Sequence, residues 1–340
     1  MAMELNVRSL TILLSILFLS MTAISASADT PDKDPGVFSE NPGPVKQFIA
    51  DMVKEYKFDA DKLTALFKQV RIHPSIIEAI SRPAESKPWY QYRQIFVNRE
   101  RVRGGVLFWN ANKAIIQKVA ETYKVSPQIL VAIVGVETRY GKHTGRYPVI
   151  DALSTLAFDY PPRAKFFRSE LSQYLLMTRE ENLNPLAQKG SYAGAMGMPQ
   201  FISSSFRHYA VDFDKDGKRD LWNNIADALG SVANYFSKHG WRYGQPIATR
   251  VTVSGLKYRE MIDNTGLKPR YTPEQMRLAG VRLDKNVPAN IKGCLIKLDS
   301  GNGPEYWAAW ENFYVISRYN HSALYAMAVN QLGDAINKSR

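Results

Sequence analysis

The sequence predicts a mainly helical α+β fold with a small β-rich part set late in the chain. Three observations carry this. From Pro44 to Val125, apolar residues recur at three- and four-residue spacings. The stretch from Ser126 to Gly145, "SPQILVAIVGVETRYGKHTG", opens with an apolar run that has no polar face, so its helix must be buried among others. Between about 245 and 312 the character changes: "IATRVTVSG" alternates, and "GVRLDKNVPANIKGCLIKLDSG" is rich in Gly, Pro and Asn.

At the N-terminus, Arg8 precedes an apolar run from Leu10 to Leu19, and Ala26-Ser27-Ala28 forms an A-x-A pattern. Residues 1–28 are expected to be a secretory signal peptide cut before Asp29. The alternative is an uncleaved anchor helix, for which the run is short. Residues 29–43 read as a polar linker. An N-terminal helical subdomain, 44–125, holds "VKQFIADMVKEY", "DKLTALFKQV", "PSIIEAI" opened by Pro74, and "FWNANKAIIQKVAETYKV" as a single helix. A core, 126–244, begins with Ser126 as N-cap and Pro127 in the first turn, and Gly141 is expected to stop that helix. Residues 165–184 and 224–238 are again helical. The β-rich part is 245–312, and 313–340 returns to helix through "SALYAMAVNQLGDAI".

Lys and Arg total 44 against 32 Asp and Glu, a formal net charge of +12. An exported basic protein suits an anionic target such as a cell wall or membrane surface. There is no Arg/Lys-rich recognition helix or nucleotide-binding signature, so nucleic acid is not an expected partner. The one cysteine, Cys294, allows no intramolecular disulfide. No cysteine follows the expected cleavage site, so the exported chain is expected to be soluble. The five histidines form no H-E-x-x-H pair, and neither a G-x-S-x-G elbow nor a P-loop is present. His143 is expected at the surface.

Glu137 stands near the C-terminal end of the buried helix. Burial and the negative end of the helix dipole both disfavour its ionised form and raise its pKa toward that of a general acid. The plain alternative is a Glu paired with Arg or Lys at a helix end. Arg139 and Tyr140 are expected to line a cleft. "KGSYAGAMGMPQFISSSF", Lys189 to Phe206, packs small residues that let backbone approach a ligand, with Ser191 and Gln200 as polar contacts for a sugar, or simply forms a tight loop. In "DFDKDGKRDLWNNIAD", Asp212, Asp214 and Asp216 fall at EF-hand loop positions one, three and five, Gly217 at six, and Lys218 offers its carbonyl at seven. Asn223 stands at twelve, where a bidentate Glu is usual, and Asp227 is the residue left to close the site. "SRYNHSALYAMAVNQLG" places Tyr319, Asn320 and Tyr325 just before an amphipathic helix, or is simply a loop with a helix N-cap.

Together these motifs resemble one family, the B-type lytic murein transglycosylases, cell-wall enzymes on a lysozyme-like core. The landmarks "VGVETRYG", "YAGAMGMPQF", "VDFDKDGKRDLW", "SVANYF" and "YNHSALYAMAV" occur in the family's order, and the resemblance runs from about Pro44 to Gly333. It implies a lysozyme-like core at 126–244 that holds cleft and metal, with a helical part before it and the small β part inserted after. It implies Glu137 as the acid/base. Ser191, Gln200, Tyr235, Asn320 and Tyr325 match cleft positions that orient the Glu or hold the glycan. Tyr92, in "PWYQYRQ", and Arg163, in "YPPRAKFF", are further cleft matches, although Pro162 stands where the family often has a second basic residue. Asp212, Asp214, Asp216, the Lys218 carbonyl and Asp227 match the family's calcium loop.

The resemblance therefore implies cleavage of the MurNAc-β-1,4-GlcNAc bond with 1,6-anhydro-MurNAc ends, by Glu137 as single acid/base. It implies a structural calcium ion and no organic cofactor. The expected enzyme is a monomer on peptidoglycan glycan strands in the periplasm of a Gram-negative bacterium, alongside wall-remodelling proteins not identified by the sequence. Two alternatives stand beside it. A hydrolytic muramidase needs a second carboxylate; none stands out near the cleft motifs, but folding could bring Asp151 or Asp159 close. A non-catalytic wall-binding protein would need no Glu137.

Overall fold

The computed structural model describes residues 36–37, 42–81, 87–284 and 286–340. The expected leader, 1–28, lies outside the described residues, as does most of the expected linker, 29–43. The N-terminal part runs β1 (Gly36–Val37), α1 (Pro42–Tyr56), α2 (Ala60–Phe67), β2 (Arg71–Ile72), α3 (Pro74–Ile80), α4 (Trp89–Phe96), α5 (Arg99–Ala111) and α6 (Lys113–Tyr123). Next come α7 (Pro127–Thr138), β3 (Tyr147–Pro148), α8 (Val149–Asp159), α9 (Ala164–Glu180), β4 (Lys189–Gly190), α10 (Ser203–Tyr209) and α11 (Ile225–Lys238). The last elements are β5 (Ala248–Val253), α12 (Pro273–Leu278), β6 (Val281–Arg282), β7 (Gly293–Asp299), β8 (Pro304–Trp310), α13 (Glu311–Tyr319) and α14 (Ala323–Lys338).

The mainly helical α+β reading holds, with corrections at particular elements. The single helix expected over 108–125 is two, α5 and α6. They meet at Asn112, whose φ of −122° and ψ of 22° are not helical and whose side chain donates to the Phe108 carbonyl at 2.8 Å. No proline or glycine marks this break. Ser126 holds the N-cap position of α7 but makes no capping hydrogen bond. The helix ends at Thr138, before Gly141, because Arg139 (φ 50°) and Tyr140 (φ 63°) are already left-handed. Helices α8, α10 and α13 were not anticipated as separate elements.

α7 is the axis of the molecule. Every residue from Ile129 to Val136 is buried, and α5, α6, α11 and α14 pack around it. That explains the absence of a polar face: neighbours cover each side, and each fully buried Leu, Ile or Val contributes about 1.5–3 kcal/mol. α8 and α9 form a neighbouring pair, with β3 and β4 joined antiparallel beside them.

The late strands form one antiparallel sheet in the order β6-β5-β8-β7. β7 carries Cys294, Leu295 and Ile296 in a row, all buried. The sheet alternation is intact nonetheless. Cys294, Ile296 and Leu298 face the main core, while Leu295 joins Val251, Ala308 and Trp310 in a second apolar cluster with Met276 and Ile291. A strand covered on both faces reads as a continuous apolar run, which hid its period in the sequence.

Candidate active site and metal loop

Glu137 is the penultimate residue of α7 and stays partly exposed between buried Val136 and Thr138. Tyr325, in the first turn of α14, donates its hydroxyl to Glu137 Oε1 at 2.5 Å. Ser322 fixes that turn by accepting the Tyr325 N–H at 3.3 Å. Burial raises the Glu137 pKa from 4.5 to about 7, and the hydrogen bond from Tyr325 offsets only part of this. No other carboxylate contributes to the shift. Asp151 is buried but committed elsewhere: Oδ1 accepts the Arg71 N–H at 3.1 Å, and Oδ2 faces His73 Nε2 at 3.1 Å. Asp159 lies exposed at the end of α8. Neither contributes to the Glu137 shift.

Tyr140 turns toward α5 and is only partly exposed. Its hydroxyl donates to the Arg101 carbonyl at 2.6 Å and its ring stacks on Phe108 at 5.6 Å. The ring fills a cradle left by three glycines. A Cβ on Gly104 or Gly135 would come within 2.9 or 2.7 Å of the ring, and one on Gly105 within 2.7 Å of its hydroxyl oxygen and 2.4 Å of Ile336. Buried Arg101 donates in turn to the Gly135 carbonyl. This knot holds Arg139 and Tyr140 in a backbone region that costs a non-glycine residue roughly 1 kcal/mol or more each. His143 is exposed, as expected.

The loop from Lys189 to Phe201 is tied to the end of α7 and the segment after it through Met198 and Gln200. Ser191 is buried and its Oγ accepts the N–H groups of Ala193 (3.2 Å) and Ala195 (3.0 Å), so its visible work is to fold the loop. No hydrogen bond joins it to Glu137 among the described residues. Gln200, at φ 52°, donates Nε2 to the carbonyls of Thr144 (3.1 Å) and Gly197 (2.9 Å). Its buried Oε1 has no partner and is an acceptor left over for a ligand N–H or O–H.

Asn320 is buried at the C-cap of α13. Its neighbour Tyr319 donates its hydroxyl to the Pro199 carbonyl at 2.5 Å and is close enough for the Glu137 charge to raise its pKa, after burial. Sequence reasoning assigned Tyr319 no role; its only signal was its place beside Asn320. Tyr235 is a buried support: its hydroxyl donates to the Arg318 carbonyl at 2.6 Å, and its ring meets Tyr319 edge-on at 5.0 Å. Tyr92 is buried in α4 beside Phe96 and near enough to Tyr325 to influence its ionisation. Arg163 lies in the short turn Pro161–Arg163, stacked on Phe166 at 4.4 Å, with Pro162 exposed beside it.

Asp212, Asp214, Asp216 and Asp227 bring carboxylate oxygens within 4.8 Å of one another. The loop is wound by its own side chains: Asp212 accepts the N–H groups of Asp216 (3.1 Å) and Gly217 (2.9 Å), and Asp216 accepts that of Lys218 (2.9 Å). Asn223, at the twelfth position, donates instead to Asp220 at 3.2 Å. Asp227 reaches the cluster from the first turn of α11 and is fully buried. Burial raises its pKa; the N–H groups of Phe213 and Asp220 offset part of this, and the charges of Asp214 and Asp212 add to it. Among the described residues no basic side chain pairs with these four acids; backbone N–H groups and Asn224 offset only part of their mutual repulsion. A hard divalent cation with oxygen ligands, of the calcium kind, fits this donor set.

Three comparisons with known proteins agree. The family model described as "Transglycosylase SLT domain" matches residues 41–334. The chain is 41% identical over 317 residues, 90% of its length and 85% of the relative's, to the membrane-bound lytic murein transglycosylase B of Escherichia coli. Among solved structures, the soluble lytic transglycosylase SltB1 of Pseudomonas aeruginosa superposes with a TM-score of 0.83 at 45% identity, covering 87% of this chain and 99% of that one. Escherichia coli Slt35, solved in complex with calcium, gives 0.80 at 41% identity, covering 90% and 96%. SltB3 of Pseudomonas aeruginosa, in complex with NAG-anhNAM-pentapeptide, gives 0.76 at 32% identity, covering 86% and 78%.

Proposed function

This chain belongs to the transglycosylase SLT-domain family and is a lytic murein transglycosylase, and from that premise we propose that Glu137 serves alone as its acid and base. The observation that carries the reading is a partly exposed carboxyl with its pKa raised to about 7, hydrogen-bonded by Tyr325. No carboxylate among the other described residues contributes to that shift.

A carboxyl with that pKa is substantially protonated at neutral pH and is a competent donor. It protonates the glycosidic oxygen between MurNAc and GlcNAc, and positive charge builds at the muramic C1. A hydrolase would bring a water steered by a second carboxylate. Here the N-acetyl oxygen of the sugar supports C1, and Glu137, now ionised, takes the proton of the C6 hydroxyl as that oxygen attacks C1. Intramolecular attack carries a large effective concentration and outruns water in a narrow cleft. The product is a 1,6-anhydro-MurNAc end. Tyr325 holds the carboxylate in place through both protonation states. Gln200 and Asn320 supply polar contacts to the glycan, Tyr319, Tyr235 and Ser191 hold the walls, and Tyr92 backs Tyr325. Arg163 takes an outer contact to the strand.

Asp212, Asp214, Asp216 and Asp227, with the Lys218 carbonyl, would hold a calcium ion as a structural group. A related transglycosylase, Slt35, has been solved with calcium, and SltB3 with peptidoglycan fragments; both support these assignments. We further assign the enzyme to the periplasm as a soluble monomer after removal of residues 1–28. The subdomains are 44–125, 126–244, 245–312 and 313–340.

The test is digestion of purified sacculi by wild type and Glu137→Gln. The variant should fold and lose activity by about 10²–10⁴-fold or more. Turnover near the wild-type rate would remove Glu137 from the mechanism.

A further inference from the structure

We propose that Thr138 is a positioning residue through which the acidic loop sets the placement of Glu137. This rests on the reading of Glu137 above. Thr138 follows Glu137 directly and is 1% exposed. Its Oγ1 accepts the Gly141 N–H at 3.0 Å. Its single proton has two acceptors, the carbonyl of Met198 at 3.0 Å and that of Val134 at 3.2 Å, and Met198 is the nearer.

Met198 belongs to the cleft loop and donates its own N–H to the Leu221 carbonyl at 2.8 Å. Leu221 is the residue after Asp220, whose N–H donates to Asp227 Oδ2 at 2.9 Å. From the buried acid of the metal loop to the residue beside Glu137, the connection is therefore backbone and short hydrogen bonds. It has little slack: a Cβ at Gly197 would lie 2.4 Å from the Leu221 carbonyl oxygen. A parallel tie runs from Trp222, whose Nε1 donates to the Lys189 carbonyl at 2.9 Å, two residues before Ser191.

The consequence concerns the four acids. With a cation among them, Asp227 stays in place and Asp220 and Leu221 with it. With the cation removed, mutual repulsion acts on Asp227, and its displacement passes through Leu221 and Met198 to Thr138. A misplacement on the order of 1 Å at a reacting group can cost about 10²-fold in rate. The plain alternative is a helix-end threonine bonded back to Val134 with no bearing on catalysis.

The test uses the full chain, stripped of metal and titrated with calcium, in wild type, Thr138→Val and Thr138→Ser. Tm, kcat and KM are read separately, well below the unfolding temperature. Calcium should raise the Tm of all three. It should raise kcat about tenfold or more in wild type and in Thr138→Ser, which keeps the hydroxyl. Thr138→Val should have a low kcat that no longer responds to calcium, with KM little changed. If Val does not fold, Thr138→Ala takes its place. The proposal is overturned by a Val variant with wild-type kcat, by a full calcium response of its kcat, by a Ser variant no better than Val, or by a wild-type Tm that calcium leaves unmoved. A wild type that cleaves nothing with calcium present would instead sink the underlying reading.

Discussion

At Glu137 the fold holds a carboxyl against its own charge. Its pKa of about 7 lies above the ordinary 4.5, so between those values the native state keeps a proton that the unfolded chain has released. Stability therefore falls as pH rises from 4.5 to 7 and is then level, at a cost of about 1–3 kcal/mol once the partial exposure of the group is allowed for. Glu137→Gln removes that cost. The variant should match wild type in Tm near pH 4 and exceed it at pH 8; a gap that shrinks with rising pH would contradict the assigned pKa. Catalysis should follow the same group, with kcat/KM declining above about pH 7 as the acid form is lost. Tyr325→Phe removes the one hydrogen bond that the described residues donate to this carboxylate. The pKa of that limb should move up and the rate should fall by about tenfold or more. An unmoved limb would show that Tyr325 does not touch the reacting form.

At the scale of elements, much of the frame was legible and the turns were not. The apolar run at α7, Pro74 at the head of α3 and the Asp spacing that gathers the acidic cluster each have a local cause, so each could be read directly. The break at Asn112 has none: it depends on how α5 and α6 pack around α7. The left-handed pair Arg139–Tyr140 is equally silent, because its support comes from Gly104 and Gly105 on α5 as well as Gly135 on α7. The same reason hid the real position of Tyr140. This yields a prediction in which two effects oppose. Gly135→Ala gains about 1 kcal/mol of helix propensity, but the new Cβ would lie 2.7 Å from the Tyr140 ring, and overpacking costs about 1–3 kcal/mol. The variant should be less stable than wild type and lose activity through the displaced end of α7. A rise in Tm would show that the cradle has room to spare.

At the scale of the whole molecule, the candidate acid and the acidic loop come from different parts of the chain, and α11, which carries Asp227, packs on α7. Glu137 is near residue 140, its partner Tyr325 lies 188 positions later, and the acidic loop stands between. The site as a constellation was therefore legible only through motifs taken in order, since no local pattern places α14 against α7. The metal loop lends itself to a direct check. Calcium added to metal-stripped protein should raise Tm, because a ligand held only by the folded state stabilises by mass action, and Asp214→Ala should reduce the shift; identical melting with calcium and with chelator would count against the site.

The central claim is that one carboxyl does both proton transfers and that the sugar's own C6 hydroxyl replaces water. Mass analysis of muropeptides from digested sacculi, before and after borohydride, tests it most directly. The account predicts muramic ends one water lighter than hydrolytic products and unaltered by borohydride, because no free reducing end remains. Reducible muramic ends as the primary product would contradict it and make this chain a muramidase.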